Sequence, residues 1–258
     1  MDLSVVEFSL NDIKRGIKVP TEITSDVAYL SGILAGDGHI SKDYGNKIRN
    51  QINCGGNPKD EKEFYKVIIK NLWKTLFNLN LEPRDLGDGT YGIRFESKAI
   101  LLFFTKIIGL PRGKKYDYLK IPSLFLKDRE LILHFIRGLF DTDFGFCLCK
   151  NQHAKPYYPE ICFDSKSENF TKEIWKTLKI LGLNFNGKVY RVYDPDLRTK
   201  AGYTTTYRFD LYGHKNLVQI FRIIGFRHPK HFKKFQEWLG ANKDNERIRK
   251  LIENNSGG

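Results

Sequence analysis

Residues 30–38 read Leu-Ser-Gly-Ile-Leu-Ala-Gly-Asp-Gly, and residues 136–143 read Ile-Arg-Gly-Leu-Phe-Asp-Thr-Asp. Both phrases run apolar, glycine, apolar, small, then aspartate; Asp37 and Asp143 occupy matching places at an offset of 106. Other segments repeat in the same order. Lys18-Val19-Pro20 is answered by Lys120-Ile121-Pro122, and Trp73-Lys74-Thr75-Leu76 by Trp175-Lys176-Thr177-Leu178. Phe104-Thr105-Lys106-Ile107-Ile108-Gly109 is answered by Phe221-Arg222-Ile223-Ile224-Gly225. Nearly constant offsets in one order mean two homologous halves, with a longer loop in the second.

Each half reads as helix, two strands, helix, two strands, helix, so the chain is an α+β protein built from tandem αββαββα repeats. In the first half Ser25 or Asp26 caps a helix ending near Asp37. Strands follow at 39–42 and 47–54, then a helix at 60–78. Strands at 84–87 and 91–96 flank the turn Gly87-Asp88-Gly89, and a helix at 98–108 stops at Gly109. The second half repeats this from Asp128, with its own helix at 169–181 and a long loop from Asp194 to Gly202. Helices are expected within 229–253. The resulting division is an N-terminal arm (1–24), a first repeat with linker (25–122), a second repeat (123–226) and a C-terminal helical extension (227–258).

The glycines suggest how the halves meet. Gly32 and Gly36 are four apart and share one helix face, as do Gly138 and Thr142. Small residues at that spacing let two helix backbones approach closely, so the repeated helices are expected to pack together on a pseudo-twofold axis. That packing would bring Asp37 and Asp143 together beside the negative ends of two helix dipoles, which is unfavourable without a cation. Carboxylate oxygens suit Mg²⁺, which also takes waters and phosphate oxygens. A single such aspartate is usually only a turn residue before a glycine; two at matched positions point to a metal site.

Charge indicates the partner. Lys plus Arg number 43 against 30 Asp plus Glu, a net charge of +13, and no single block carries the excess. A distributed basic surface is what a phosphate backbone requires. The strands add a second signal. In 47–54 one face carries Lys47, Arg49, Gln51 and Asn53; in 204–211 one face carries Thr204, Thr206 and Arg208. These side chains hydrogen-bond base edges in a major groove, and the opposite faces are largely apolar.

With these residues in view, the double motif resembles the LAGLIDADG homing endonucleases in their monomeric two-repeat form, intron-encoded or free-standing. The resemblance runs from about Lys18 to Gly225. It implies two saddle-shaped antiparallel sheets forming a DNA-binding surface over a long, pseudo-symmetric target. It also implies hydrolysis of both strands by a metal-dependent endodeoxyribonuclease. Mg²⁺ would be held by the last acid of each motif, Asp37 and Asp143, with Gly36 and Thr142 completing the expected metal site. Mn²⁺ is expected to substitute, and Ca²⁺ to support binding without cleavage. A polar residue after the second strand and a basic residue of this family map to Asn57 and Lys166. A lysine near the end of each repeat maps to Lys114 or Lys115, preferring Lys115, and to Lys230. The expected DNA contacts are Lys47, Arg49, Gln51, Asn53 and Arg94 in the first half. In the second they are Tyr158, Glu160, Arg191, Arg198, Lys200, Thr204, Thr206 and Arg208.

The second motif departs from the family pattern. Phe144 stands where a glycine is usual, with Gly145 one step later, and Arg137 and Asp141 add charge inside the helix. An RNA maturase or a non-cleaving DNA-binding protein on the same fold is the alternative reading.

Other chemistries find little support. The four cysteines form no CxxC pair and read as reduced thiols. His228 and His231 are three apart, but two ligands do not make a zinc site. No P-loop or GxGxxG opens a helix. No 18-residue apolar run or signal-peptide pattern occurs, so a cytoplasmic or organellar, non-secreted monomer is expected, without a membrane or an obligate protein partner. An intein origin is disfavoured, because no splicing Cys or Ser starts the chain and it does not end in His-Asn.

Overall fold

The computed structural model describes all residues except 44, 46–48, 88, 150–157, 198, 244 and 254–258, and except the side chains of 251–253. The described chain divides into two compact units, Met1–Thr142 and Asp143–Gly258.

The first unit opens with a short helix α1 (Leu10–Lys14), closed by a capping box in which Ser9 and Asp12 satisfy each other's backbone N–H groups. Helix α2 (Ser25–Gly36) begins at Thr24, whose hydroxyl accepts from the Val27 N–H. It is buried continuously from Val27 to Gly36 and so forms the centre of the unit. Strands β1 (Gly38–Ile40), β2 (Gln51–Gly56), β3 (Arg84–Gly87) and β4 (Thr90–Glu96) make one antiparallel sheet in the order β1-β2-β4-β3. Between β2 and β3 a π-helical turn, Phe64–Ile69, runs into α3 (Lys70–Phe77). After β4, α4 (Lys98–Leu102) continues as a second π-helical stretch, Phe103–Ile108. That stretch stops at Gly109, whose φ of 91° only glycine adopts readily. Alternation along β2 and β4 sends Ile52, Cys54, Ile93 and Phe95 to the helix side. There Phe95 and Phe104 pack edge-on to Trp73 at 4.9 and 5.9 Å, with Phe77 alongside.

The unit closes with α5 (Arg129–Thr142). A Cβ on Gly32 would lie 2.0 Å from the Phe135 carbonyl oxygen, and one on Gly138 would lie 2.1 Å from that of Tyr29. The two helices therefore meet backbone to backbone, as the glycine spacing requires. Ser25 Oγ donates to Glu130 Oε1 at 2.8 Å, joining their N-terminal ends, so α2 and α5 run in the same direction. For this reason α5, which the repeat pattern assigns to the second half, groups with the first unit. Asp141 is buried in this interface and accepts a 2.5 Å hydrogen bond from Tyr29 Oη. The charge that looked like a departure within the motif is thus one half of a buried polar pair.

The second unit repeats the sheet. Strands β5 (Phe144–Cys149), β6 (Tyr158–Ser165), β7 (Tyr190–Pro195) and β8 (Tyr203–Tyr212) pair antiparallel in the order β5-β6-β8-β7, the same order as in the first unit. Helices α6 (Glu168–Ile180), α7 (His214–Ile223), α8 (Pro229–Ala241) and α9 (Glu246–Glu253) complete it. Phe163, Phe170, Phe185 and Phe209 form its aromatic core. The chain is an α+β protein of two four-stranded antiparallel sheets with helices. None of its described helices is long and apolar enough to cross a membrane.

Candidate active site and nucleic-acid interface

Asp37 is the C-cap residue of α2, half-buried, in right-handed helical backbone (φ −81°, ψ −4°). β1 starts at the next residue, so the aspartate sits where the core helix hands over to the sheet. Its charge is felt by neighbours. Burial, then Asp37, pushes the Cys54 thiol far above its usual pKa, and Glu61 adds to this. Tyr65, whose hydroxyl lies 3.4 Å from Cys54 Sγ, is raised by burial and by the same two acids.

Lys115, expected near this acid, is brought to it. Its ammonium donates to the carbonyl oxygens of Gly36 and, at 3.0 Å, Gly38, the residues either side of Asp37. A cation at a helix C-terminus offsets the negative end of the dipole. The Gly36 carbonyl, an expected metal neighbour, is therefore engaged by Lys115. His39 follows on β1, and its imidazole is held below its usual pKa by partial desolvation and by the Lys115 charge.

Asn57 takes a different place. It is exposed, and its Oδ1 accepts the Lys59 N–H at 2.9 Å in a local turn. The side chain that reaches the end of β2 is Glu61: a Cβ on Gly56 would fall 1.5 Å from Glu61 Oε2, and Glu61 is 6% exposed. The sequence signal was the bare Gly55-Gly56 pair, which leaves room for an incoming side chain.

In the second unit Asp143 is half-buried between the end of α5 and β5. The Phe144 departure is a packing choice: its ring lies 4.8 Å from Phe163 and 6.3 Å from Phe209. The glycine moves to 145 because a Cβ there would meet Cys162 Sγ at 2.6 Å. Thr142 Oγ1 bonds back to the Gly138 and Leu139 carbonyls at 3.1 Å. Lys166 is exposed between Ser165 and the α6 cap Ser167. Lys230 lies half-buried in the first turn of α8, its N–H donating to His228 Nδ1. The ammonium that reaches β5 is Lys234, one helical turn on, which donates to the Phe146 carbonyl at 2.5 Å. Its i, i+4 relation to Lys230 was the available clue.

Among the described residues no group of three or more His, Cys, Asp or Glu side chains could hold a metal. A hard cation such as Mg²⁺ keeps several waters and takes phosphate oxygens, and is commonly held by only one or two carboxylates.

The open faces of the sheets carry the expected polar rows. On the first, register aligns Gln51 with Glu96 and Asn53 with Arg94. Arg94 lines a groove of about 680 Å³ with Lys14, Arg15 and Arg84. A second groove of about 570 Å³ is lined by His39, Lys42, Arg49, Arg112 and Lys114. Arg112 bridges it, binding Asp43 at 2.7 and 3.2 Å and the carbonyls of Ser41 and Arg49. Lys47 and Arg198 lie outside the described residues.

On the second sheet, pairing puts Glu160, Asp164, Tyr190, Thr204, Thr206, Arg208 and Asp210 on the open face. Thr204 and Thr206 donate to Asp196 and Asp194 at 3.3 and 2.9 Å. Tyr158 stands edge-on to His214 at 5.6 Å. Lys200 is exposed in the β7–β8 loop. Arg191 falls on the opposite face, paired in register with Tyr207 and 5.5 Å from its ring, because strand alternation separates odd from even positions.

Comparison with solved structures finds the same architecture. I-DmoI in complex with DNA and Mn is 16% identical, with 78% of this chain and 96% of that one covered and a TM-score of 0.51. The LAGLIDADG homing endonuclease I-GzeII in complex with its DNA target is 12% identical, with 92% and 99% covered and a TM-score of 0.52. The chain thus has the fold of the LAGLIDADG homing endonucleases. No family model matches it. Three proteins of Methanocaldococcus jannaschii share parts of its sequence. A probable translation initiation factor IF-2 is 29% identical over 218 residues, 81% of this chain. The uncharacterized protein MJ1054 is 27% identical over 179 residues, 68% of this chain. A glutamine–fructose-6-phosphate aminotransferase is 24% identical over 228 residues, 88% of this chain. The matched stretch spans only 16%, 19% and 18% of those proteins.

Proposed function

We propose that this chain is a site-specific double-strand DNA endonuclease that hydrolyses phosphodiester bonds with a divalent metal, as a monomer acting on a long, pseudo-symmetric site. The observation that carries this reading is the placement of Asp37: a half-buried acid at the end of the core helix, one residue before β1, between the two carbonyls that the Lys115 ammonium binds. Asp143, at the matched position, is assigned the same role. The occurrence of related sequence within under a fifth of three differently named proteins fits a module separable from its surroundings.

In this reading Asp37 and Asp143 hold Mg²⁺, with Mn²⁺ a substitute. The ion supplies Lewis acidity for the attacking water and the leaving oxygen. Lys115 offsets the negative end of α2 and places positive charge near the scissile phosphate. Neutral His39 offers a proton acceptor two residues from Asp37. The open faces supply base contacts, and the lysines and arginines of the two grooves hold phosphates without reading sequence. Lys230 and Lys166 are assigned supporting charge in the second half, with Lys234 as the lysine in contact with β5.

The test is a cleavage selection on a randomised duplex library with Mg²⁺, repeated with Ca²⁺. Recovery of one long double-strand cut site with Mg²⁺, and of the same bound but uncut sequence with Ca²⁺, supports the proposal. No cleavage together with tight binding to a structured RNA would replace it with the maturase reading.

A further inference from the structure

The open face of the second sheet has a feature that phosphate binding does not explain. Arg208 lies mid-sheet on β8, flanked in register by Asp164 on β6 and Tyr190 on β7. Its Nε donates to Asp210 Oδ1 at 2.7 Å and its Nη2 to Glu160 Oε1 at 3.1 Å. Asp210 is 5% exposed and is held in turn by the Tyr190 hydroxyl on its other oxygen. Withdrawal from water and the bond to Asp210 keep the Tyr190 phenol above its usual pKa, so it remains a donor.

Arg208, Glu160 and Asp210 together sum to one negative charge, with Asp164 opposite. A patch of that sign repels a phosphate. The guanidinium has five N–H groups in a rigid fork, and these bonds use two. The side chain keeps 30% of its surface exposed, which leaves room for a further pair of its N–H groups to meet a ligand. Two acids that fix an arginine's torsions have already removed much of the entropy that a floppy surface arginine loses on binding. A fixed fork with a further pair of N–H groups matches two adjacent acceptors. In the major groove that pattern is guanine O6 and N7.

We propose that Arg208, clamped by Glu160 and Asp210, is a sequence-specifying residue that takes one guanine of the target in the second half-site. This rests on the DNA-binding reading above. Glu160 and Asp210 are positioning residues, acting through the arginine.

The experiment is a binding selection on the randomised library with Ca²⁺ at fixed salt, comparing the full chain with Arg208→Lys and Asp210→Asn. The expected wild-type profile contains a guanine-only position. Arg208→Lys should lose roughly ten-fold to 100-fold of that preference, leaving the other positions and the salt dependence as they were. Asp210→Asn keeps the shape of the side chain and should give a smaller loss at that same position. Thermal melts confirm that both variants are folded. If Arg208→Lys weakens every sequence alike and lowers the salt slope by about one, Arg208 is a phosphate contact and the proposal is overturned. If the profiles are unchanged while the melting temperature falls, the clamp is only a cross-strand ion network and the proposal is again overturned. A wild-type chain that selects no sequence overturns both this inference and the endonuclease reading; a wild-type chain that selects a site without the guanine overturns only this one.

Discussion

Replacing Gly32 by alanine tests the helix pair on which the active-site geometry depends. On an ordinary helix surface Gly→Ala stabilises by about 1 kcal/mol, since alanine orders the backbone at less entropic cost. Here the new methyl would stand 2.0 Å from the Phe135 carbonyl oxygen and 2.9 Å from the Leu139 nitrogen. Ordinary contact begins near 3.4 Å, so the helices must separate by about 1.4 Å. Both obstacles are backbone, so no rotamer change relieves them. Overpacking in a rigid core costs typically 1–3 kcal/mol, and a backbone clash belongs at or above the upper end. Net of the propensity gain, the expected result is a loss of about 2 kcal/mol. Gly240, in α8 with open space around its Cβ position, supplies the control: Gly240→Ala should stabilise by about 0.5–1 kcal/mol. Urea denaturation gives both values from the midpoints at constant m. Opposite signs at the two sites support the argument. A stabilising Gly32→Ala would show that α2 and α5 do not pack through this face.

Further outcomes follow from the same chemistry. Tyr29→Phe removes a donor from the buried Asp141 carboxylate and should cost about 1–3 kcal/mol, read by the same denaturation curves. Burial holds His228 neutral, its pKa lowered from 6.5 to about 3, with Lys230 and Lys234 adding to the effect. The unfolded chain therefore binds this proton first, and the stability it withholds is lost as the pH falls below 6.5. His228→Phe should remove about 2 kcal/mol of the destabilisation seen between pH 7.5 and pH 5. Lys115→Met should slow cleavage by at least about ten-fold with DNA affinity nearly unchanged, as measured by single-turnover rates beside Ca²⁺ binding. Lys114→Gln should do the reverse, weakening all sequences alike and reducing the salt slope by about one.

The repeated phrase made the helix pair legible, because a Gly-x-x-x-Gly spacing has few uses other than close backbone approach. Period-two alternation located the open faces and their Gln51, Asn53 and Arg208. What escaped was what depends on side chains arriving from elsewhere in the chain. Glu61 fills the space before Gly56 from the turn leading into the next helix, and Lys234 reaches β5 from a helix 88 residues away. Asn57 had the right chemistry and position in sequence, but its short side chain closes a local turn first. Arg191 shows the opposite error: a basic residue in the right strand, one position out of phase with the face that matters.

The central claim is that two matched aspartates each support a cut. On a supercoiled plasmid carrying the selected site, Asp37→Asn and Asp143→Asn each keep the shape of the side chain and remove its charge. Each is expected to abolish linearisation, by at least about 100-fold in rate, while the Ca²⁺-supported affinity stays within a few-fold of the parent. Linearisation at the parent rate by either variant would contradict the account.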